Sequence, residues 1–383
     1  MREKNYKLAK IMPVMMAYIV MGFVDIVGVA TGYIKNDFGL SDSMAQIIPS
    51  MALFWFFVLS VPAGIMQDRF GKKRMLNIGI GLTGIGMVTP FLYYSYSVML
   101  LSFIFLGIGN TIIQVSANPL LHDVVPRARF SSYMSLSQFI KAICSLLGPV
   151  ITAAMASFMG DWKLVFAVYA ITSLISLAWL FTIKIEEAEI SDKPATFASC
   201  FSLLKNKFIL IMVFGIFFVV GSDVGMNANI ANYLKSLFNL SLENASLGIS
   251  IYFAALMIGR LAGAVVLNWV SSRKFLVATA ILALGGIVLM LAAPSLFIAR
   301  AAISLVGLGS ANLFPLIFAI SVEKMPVRAN EISGLMVMAI SGGAAIPPVM
   351  GLTSTYIGVA ASFSVLVVVM LYILFAGVYS LKN

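Results

Sequence analysis

Twelve apolar segments, each about as long as a helix that crosses a bilayer, constrain this chain more than any other sequence feature. They span residues 11–33, 44–66, 75–94, 97–121, 131–158, 163–183, 207–233, 245–267, 275–293, 296–321, 331–357 and 361–380. Inside a bilayer only helices and closed barrels satisfy their own backbone hydrogen bonds, and runs of this length favour helices. Only 10% of the residues are charged, against about 25% in soluble domains. The sequence therefore predicts an all-α membrane protein without a large soluble domain.

The positive charges indicate how the segments are oriented. In all, 19 of the 25 Lys and Arg residues lie at the N-terminus or in connections that share its side. Such an excess marks the cytoplasmic side of a membrane protein, so both termini are predicted to be cytoplasmic. The net charge of +10 is then a topology signal, and no nucleic-acid partner is expected. The first apolar run is longer than that of a signal peptide, which predicts a retained first helix.

An internal repeat with an offset of 200 residues relates two halves of the chain. The matching pairs are Tyr33 and Tyr233, Lys35 and Lys235, Phe38 and Phe238, Leu40 and Leu240, Ser41 and Ser241, Gly107 and Gly307, Gly109 and Gly309, and Pro126 and Pro326. We expect an N-terminal six-helix bundle at 1–183, a polar cytoplasmic linker at 184–206 and a C-terminal six-helix bundle at 207–383. Two parallel repeats of this kind place the substrate site between the halves, near the bilayer midplane.

A short cytoplasmic loop follows the second segment, with the sequence Gly64-Ile-Met-Gln-Asp68-Arg69-Phe-Gly71-Lys72-Lys73-Arg74. An Asp beside several cations can form ion pairs between helices that break when a gate opens. We predict gating roles for Asp68, for Arg69 and for Arg260 in the eighth segment. The spacing resembles the signature of the major facilitator superfamily. That resemblance implies the major facilitator fold, twelve transmembrane helices in two pseudo-symmetric six-helix bundles.

Further segments resemble one branch, the fucose–galactose–glucose:proton symporter family. The most specific are Gln114-Val-Ser-Ala-Asn118-Pro119 and Gly342-Gly-Ala-Ala-Ile-Pro-Pro348. The resemblance implies a cation-coupled importer of a monosaccharide, with a central hexose cavity, in the inner membrane of a bacterial-type cell. The expected partners are a sugar and the lipid bilayer. The expected coupling ion is a proton or Na⁺, with no other cofactor, and the chain is expected to act as a monomer.

Two carboxylates lie inside the predicted helices. A charge at mid-membrane costs at least ~2.5–3.5 kcal/mol on insertion scales, which makes each such residue a candidate for function. Asp25 lies slightly beyond the midplane of the first helix, among Gly22, Gly28 and Gly32. Desolvation favours the neutral form of a carboxyl group, so Asp25 is predicted to carry the coupled proton. Asp223 lies in the corresponding region of the seventh helix and is a second candidate, either for binding or for helix packing.

Neutral amides are the predicted sugar ligands, because they offer both donors and acceptors to hydroxyl groups. Asn110, Gln114 and Asn118 are spaced four residues apart and share one face of the fourth helix. Hydrogen bonds between helices are the alternative role for this stripe. Asn227 in the seventh helix and Asn312 in the tenth are further candidates for substrate binding. Aromatic rings that could stack on a sugar are Phe54, Trp55, Tyr252 and Phe314.

The fifth helix carries Gln138 and Lys141, one turn apart, as the last substrate-binding candidates. The resembling family usually has Asn at the position of Lys141. Two readings remain open for this lysine. It pairs with Asp25 or Asp223 and is displaced by a proton or substrate, or it binds the carboxylate of an acidic sugar or another organic anion.

Other classes of function are disfavoured. One histidine and two cysteines leave little material for a metal cluster or a catalytic triad, so no enzyme is expected. A polyspecific exporter or antiporter is the remaining alternative within the superfamily. The fifth helix has Gly148-Pro149 but lacks the extended glycine series of the antiporter motif.

Overall fold

The structure, a computed structural model, describes residues 8–187 and 195–383. The cations Arg2, Lys4, Lys7 and Lys193, and residues 188–194 of the predicted linker, lie outside these ranges. Within the described ranges, twelve helices are long and apolar enough to cross a membrane. The predicted all-α, multi-pass architecture is confirmed.

The helices are named here α1 to α12. They are α1 (Leu8–Phe38), α2 (Ile47–Phe70), α3 (Lys72–Leu92), α4 (Tyr96–Val124), α5 (Arg127–Met159), α6 (Leu164–Thr182), α7 (Lys207–Phe238), α8 (Asn244–Val266), α9 (Ser272–Leu291), α10 (Leu296–Lys324), α11 (Pro326–Ile357) and α12 (Val359–Lys382). A short linker helix, Phe197–Ser202, precedes α7.

Several helices extend beyond their apolar segments because tertiary contacts satisfy the polar residues at their ends. Helix α3 begins at Lys72, three residues before its predicted start. The Glu187 carboxylate accepts hydrogen bonds from the backbone N–H groups of Lys72 and Lys73, at 2.6 and 3.0 Å. A carboxylate at a helix N-terminus satisfies free amides and interacts favourably with the helix dipole. Hydropathy carries no information about such a cap.

The contacts divide the chain into two compact units. Unit 1 comprises Met1–Phe130, Ser137–Phe201 and Pro326–Met338, and unit 2 comprises Ser131–Leu136, Ser202–Met325 and Ala339–Asn383. The first part of α11 thus belongs to unit 1 and a short part of α5 to unit 2. The predicted division into 1–183 and 207–383 differs from this grouping at these two parts of α5 and α11. It stays a prediction.

The repeat is visible in how helices cross within each unit. An ideal Cβ on Gly107 would lie 2.3 Å from the Ala52 carbonyl oxygen, and one on Gly307 would lie 2.7 Å from the Tyr252 carbonyl oxygen. Both partners of the first contact are thus shifted by 200 residues in the second. Gly109 and Gly309 repeat the relation, against Gly79 and Thr83 in unit 1 and against Thr279 and Ala283 in unit 2. The same two helix crossings are therefore built in both halves.

We expect Gly107→Ala and Gly307→Ala to lower the free energy of unfolding by about 1–3 kcal/mol each, because a methyl group would overlap a backbone carbonyl. Thermal unfolding of the purified protein in detergent measures this. The matched control is Gly81→Ala, since nothing lies within 4 Å of an ideal Cβ there. Ala is also the better helix former, by about 1 kcal/mol. A Gly307→Ala variant as stable as Gly81→Ala would contradict the close crossing.

Candidate functional site

Helix α1 is interrupted at Asp25, its predicted proton-coupling residue. It is α-helical over Leu8–Met21, forms a 3₁₀ segment over Gly22–Ile26 and resumes as α-helix at Val27. A 3₁₀ stretch inside a helix often marks a hinge, and this one carries Asp25. The backbone carbonyl of Met21, where the first α-helical part ends, accepts a hydrogen bond from Asn110 Nδ2 at 2.9 Å. An amide of α4 therefore supports the interruption.

The predicted amide stripe of α4 faces α1. Gln114 Nε2 donates to Asn110 Oδ1 at 3.2 Å, and Asn118 Oδ1 accepts from the Tyr18 hydroxyl at 2.8 Å. All three amides are buried. The predicted shared face is present, and the contacts of Asn110 and Asn118 are those of the alternative role, hydrogen bonding between helices. Their binding of substrate stays a prediction.

Asp25 is exposed on α1, so neighbouring side chains do not bury it as the sequence interpretation expected, and its role in proton coupling stays a prediction. Gly28 and Gly32 follow on the same face of α1, and nothing lies within 4 Å of an ideal Cβ at either position. The helix therefore leaves this face unpacked. A carboxylate on such a face is not enclosed by packed side chains, and a coupling residue must be accessible to ions at some stage of transport.

Helix α5 packs closely beside Asp25. An ideal Cβ on Gly22 would lie 2.8 Å from Cys144 Cβ and 2.9 Å from the Lys141 carbonyl oxygen. One turn after Lys141, the Ser145 hydroxyl donates a hydrogen bond to the Asp25 carboxylate. Ser145 was not among the predicted site residues. Its spacing of four residues from Lys141, on the same face of the helix, was the signal that could have found it.

The predicted residues of α5 lie in the same region. Gln138 is buried and Lys141 is half-buried, and both belong to unit 1 together with Asp25. Asp25, Ser145 and the backbone of Lys141 therefore form one cluster. Both predicted roles of the lysine side chain, pairing with Asp25 or Asp223 and binding an acidic cargo, stay predictions.

Unit 2 has a carboxylate cluster of its own. The Tyr252 hydroxyl donates to Asp223 Oδ1 at 2.6 Å. Tyr252 is fully buried, so its predicted stacking on a sugar ring is not available in this structure. Arg260 is an electrostatic neighbour of Tyr252. Arg260 thus lies in this cluster, two turns along α8 from Tyr252, and its predicted gating role stays a prediction.

Asp223 is not the repeat equivalent of Asp25. Adding 200 to Asp25 leads to Gly225, two residues beyond Asp223. Two residues correspond to about 200° around a helix, so the two carboxylates have different orientations in their own units.

The two remaining amide candidates differ from each other. Asn227 is exposed on α7. Asn312 is 1% exposed, and its Nδ2 donates to the Gly259 carbonyl at 2.7 Å. An ideal Cβ on Gly263 would lie 2.3 Å from Asn312 Oδ1. Asn312 therefore joins α10 to α8, whereas Asn227 is not covered by neighbouring side chains.

The predicted gate residues lie where α2 meets the start of α11 in unit 1. Asp68 Oδ1 accepts from Asn330 Nδ2 at 2.6 Å, and Asp68 Oδ2 accepts from the backbone N–H of Ala195 at 3.0 Å. Arg69 is exposed and lines a cavity of about 300 Å³ with residues of α2 and the linker helix. The hydrogen bonds of Asp68 thus come from neutral groups, and Arg328 of α11 is an electrostatic neighbour of its carboxylate.

The ion pair of this loop is made by Lys72. Its Nζ lies 2.6 Å from Asp123 Oδ2, and both side chains are at least 95% buried. His122 is adjacent, with Nδ1 3.8 Å from Asp123 Oδ1. The loop motif therefore fastens α3 to α4, a role that the sequence interpretation had not given to Lys72.

The linker helix is bound to the first turns of α11. Ser199 Oγ donates to Glu331 Oε1 at 2.6 Å, and Arg328 donates both to Glu331 and to the Ser199 carbonyl. Burial raises the pKa of the neighbouring Cys200 to about 12, so this thiol stays protonated at neutral pH.

Among the described residues, no group of three or more His, Cys, Asp or Glu side chains could hold a metal ion.

Comparisons with known proteins agree with this architecture. The family model described as Major Facilitator Superfamily matches residues 14–348. A glucose/galactose transporter of Brucella abortus biovar 1 is 24% identical over 402 residues, which cover 100% of this chain and 96% of that protein. A putative glucose/galactose transporter of Helicobacter pylori is 26% identical over 393 residues, which cover 96% of this chain and 95% of that one.

Solved structures give the same fold. The fucose:proton symporter FucP of E. coli superposes with a TM-score of 0.85 at 16% identity, covering 98% of this chain and 99% of that one. The proton:xylose symporter XylE superposes with a TM-score of 0.77 at 14% identity, covering 99% and 96%. At such identities the likeness concerns the fold alone.

We expect Asp123→Asn to lower stability strongly, by about 3–5 kcal/mol, because it leaves the buried Lys72 ammonium without its carboxylate. The control is Asp161→Asn, which removes a partly exposed pair with Lys163 at 3.4 Å and should cost about 0–1 kcal/mol. Melting temperatures of the purified variants compare the two. Equal melting temperatures would contradict the assignment of Lys72–Asp123 as the buried pair of the loop.

Proposed function

Because this chain belongs to the major facilitator superfamily, a family of transporters rather than enzymes, we propose that it imports a monosaccharide together with a proton. The two halves of the chain expose the sugar site alternately to the two sides of the membrane. The membrane is the inner membrane of a bacterial-type cell, with both termini in the cytoplasm. The concentration of Lys and Arg residues on one side of the helices supports this orientation.

Two observations support a sugar as the cargo. Relatives aligned over 96–100% of this chain bear the name glucose/galactose transporter. All but Lys141 of the residues that the sequence predicts to bind substrate are neutral amides, and these suit hydroxyl groups without selecting for charge. On α7, the exposed Asn227 is such an amide.

The single observation that carries the proton-coupling proposal is the setting of Asp25. It is an exposed carboxylate on a 3₁₀ interruption of α1, beside an unpacked glycine face and within reach of a hydroxyl donor. A carboxylate there takes up and releases a proton without unfolding any element. Na⁺ is the alternative ion, because oxygen atoms are its usual ligands.

The second candidate cargo is an acidic sugar or another organic anion. It is favoured by Lys141, which is half-buried within a turn of the Asp25 cluster and stands where the resembling family has Asn. Export in exchange for protons is the remaining alternative. A symporter accumulates sugar in vesicles with an alkaline interior, whereas an antiporter accumulates it when the interior is acidic.

We expect Asp25→Asn to reduce proton-driven accumulation at least tenfold, because the side chain no longer exchanges a proton. Counterflow, which needs no gradient, should continue. The measurement is uptake of labelled glucose and galactose into proteoliposomes, with a pH gradient or a Na⁺ gradient imposed separately.

Asp161→Asn is the matched control for a carboxylate outside the site, and Asp25→Glu tests whether any carboxylate suffices. If Asp25→Asn accumulates sugar under the pH gradient as the natural protein does, the coupling proposal is wrong.

For Lys141→Asn we expect an unchanged ratio of uronate to hexose transport in counterflow, since the proposed cargo is neutral. Lys141→Arg keeps the positive charge and serves as the comparison. A fall of tenfold or more in the relative transport of uronates in Lys141→Asn alone would favour the acidic-sugar function.

A further inference from the structure

We propose that Ser145 is a positioning residue whose hydroxyl changes its hydrogen-bond acceptor when Asp25 binds or releases a proton. The change alters the hydrogen bonding of the α5 backbone at the Lys141 carbonyl. The inference rests on the proposed proton symport and names the group through which the coupling carboxyl acts. Asp25, Lys141 and Ser145 all belong to unit 1.

One hydroxyl hydrogen of Ser145 has two acceptors within reach. Ser145 Oγ is hydrogen-bonded to the Asp25 carboxylate, and it lies 3.0 Å from the backbone carbonyl oxygen of Lys141 on its own helix. A serine hydroxyl donates one hydrogen and accepts through two lone pairs. It can therefore donate to only one of these two oxygens at a time.

The protonation of Asp25 decides which oxygen receives the hydrogen. When Asp25 is ionised, its carboxylate only accepts, so Ser145 donates to it in a charge-assisted bond. When a proton from the aqueous side binds Asp25, the new carboxyl O–H donates to Ser145 Oγ. The serine hydrogen then turns to the Lys141 carbonyl. Only the one proton is taken up, and the rest of the change is a rotation of a hydroxyl group.

The Lys141 carbonyl lies at a place where α5 packs closely against α1. An ideal Cβ on Gly22 would lie 2.9 Å from this oxygen, so the helix backbones are nearly in contact there. A serine that bonds the carbonyl four residues earlier tends to bend its helix. Uptake of a proton at α1 thus changes the hydrogen bonding of α5 at the point where the two helices meet.

Few other ionisable groups face this cluster. Lys141 and Cys144 are contributed by α5, and α6 contributes Tyr169, whose ring stacks on Phe23 at 3.8 Å and which is an electrostatic neighbour of Asp25. From α4, the nearby Asn110 and Gln114 are neutral. The ionisable residues of α2, α3 and α4 lie in their terminal turns: Asp68, Arg69, Lys72, Lys73, Arg74, Tyr96, His122 and Asp123. Those of α1 itself, within the described residues, are Lys10, Tyr18, Tyr33, Lys35 and Asp37.

The test compares Ser145→Ala with Ser145→Thr, which keeps the hydroxyl. The matched control is Thr152→Val, because Thr152 is buried in α5 and bonds the Gly148 carbonyl at 2.8 Å in the same way. Among the residues that the structure describes, its hydroxyl donates to that carbonyl and to no carboxylate. The readout is the external pH at which proton-driven uptake of labelled galactose is half-maximal, with counterflow as the measure of intact sugar exchange.

We expect Ser145→Ala to raise this midpoint by about one pH unit, because the donor stabilises the charged carboxylate more than the neutral acid. Counterflow should stay within about twofold. Ser145→Thr and Thr152→Val should keep the midpoint of the natural protein. A Ser145→Ala midpoint equal to that of the natural protein overturns the inference, while Asp25→Asn reports independently on the proposed symport.

A second measurement does not depend on transport. Infrared difference spectra of the purified protein follow the protonated carboxyl band of Asp25 as pH changes, with Asp25→Asn to assign the band. In Ser145→Ala the band should move to higher frequency, because its O–H has lost an acceptor, and should persist to higher pH. An unchanged band and titration would overturn the inference even if Ser145→Ala did not transport.

Discussion

The requirement that buried backbone groups be hydrogen-bonded without help from water governs this molecule. In a bilayer it forces the chain into helices, and it makes any departure from regular helix costly unless another group supplies the bond. Helix α1 departs from the α-helix at Gly22–Ile26. There the Met21 carbonyl is bound by Asn110 of α4. The polar stripe of α4 is thus the support of the interruption that carries Asp25, and the candidate site depends on it.

The lipid environment also accounts for the glycines at the helix crossings. Helices that lack a hydrophobic driving force for association in lipid pack through small residues. Gly107 and Gly109 make this contact in unit 1, and Gly307 and Gly309 repeat it in unit 2. The shared scaffold then carries different chemistry in its two halves. Asp25 is exposed beside a serine, whereas Asp223 is bound to a buried tyrosine and is rotated about 200° from the equivalent position. The halves are alike in packing and differ in the hydrogen-bond partners of their carboxylates.

Charge at the ends of helices serves a separate purpose. Lys72 and Asp123 form a buried pair, and Glu187 caps α3. Asp68 binds Asn330 and the backbone at Ala195. These bonds connect the loop motif, the linker and α11 within unit 1. The motif therefore acts through specific hydrogen bonds as well as through its net positive charge.

The amino-acid sequence alone determined the number of helices, their apolar cores and the internal repeat, because span length and residue spacing are local properties that a bilayer enforces. It also identified Asp25, and the amide stripe with its shared face. Only the tertiary structure decided what each polar group binds. Asp25 was expected to be buried and is exposed, because Gly28 and Gly32 leave its face unpacked. Asn312 holds α8, and Ser145 was not foreseen. Partners in a hydrogen bond are distant in sequence, and no periodicity within one helix identifies the group that faces it from another.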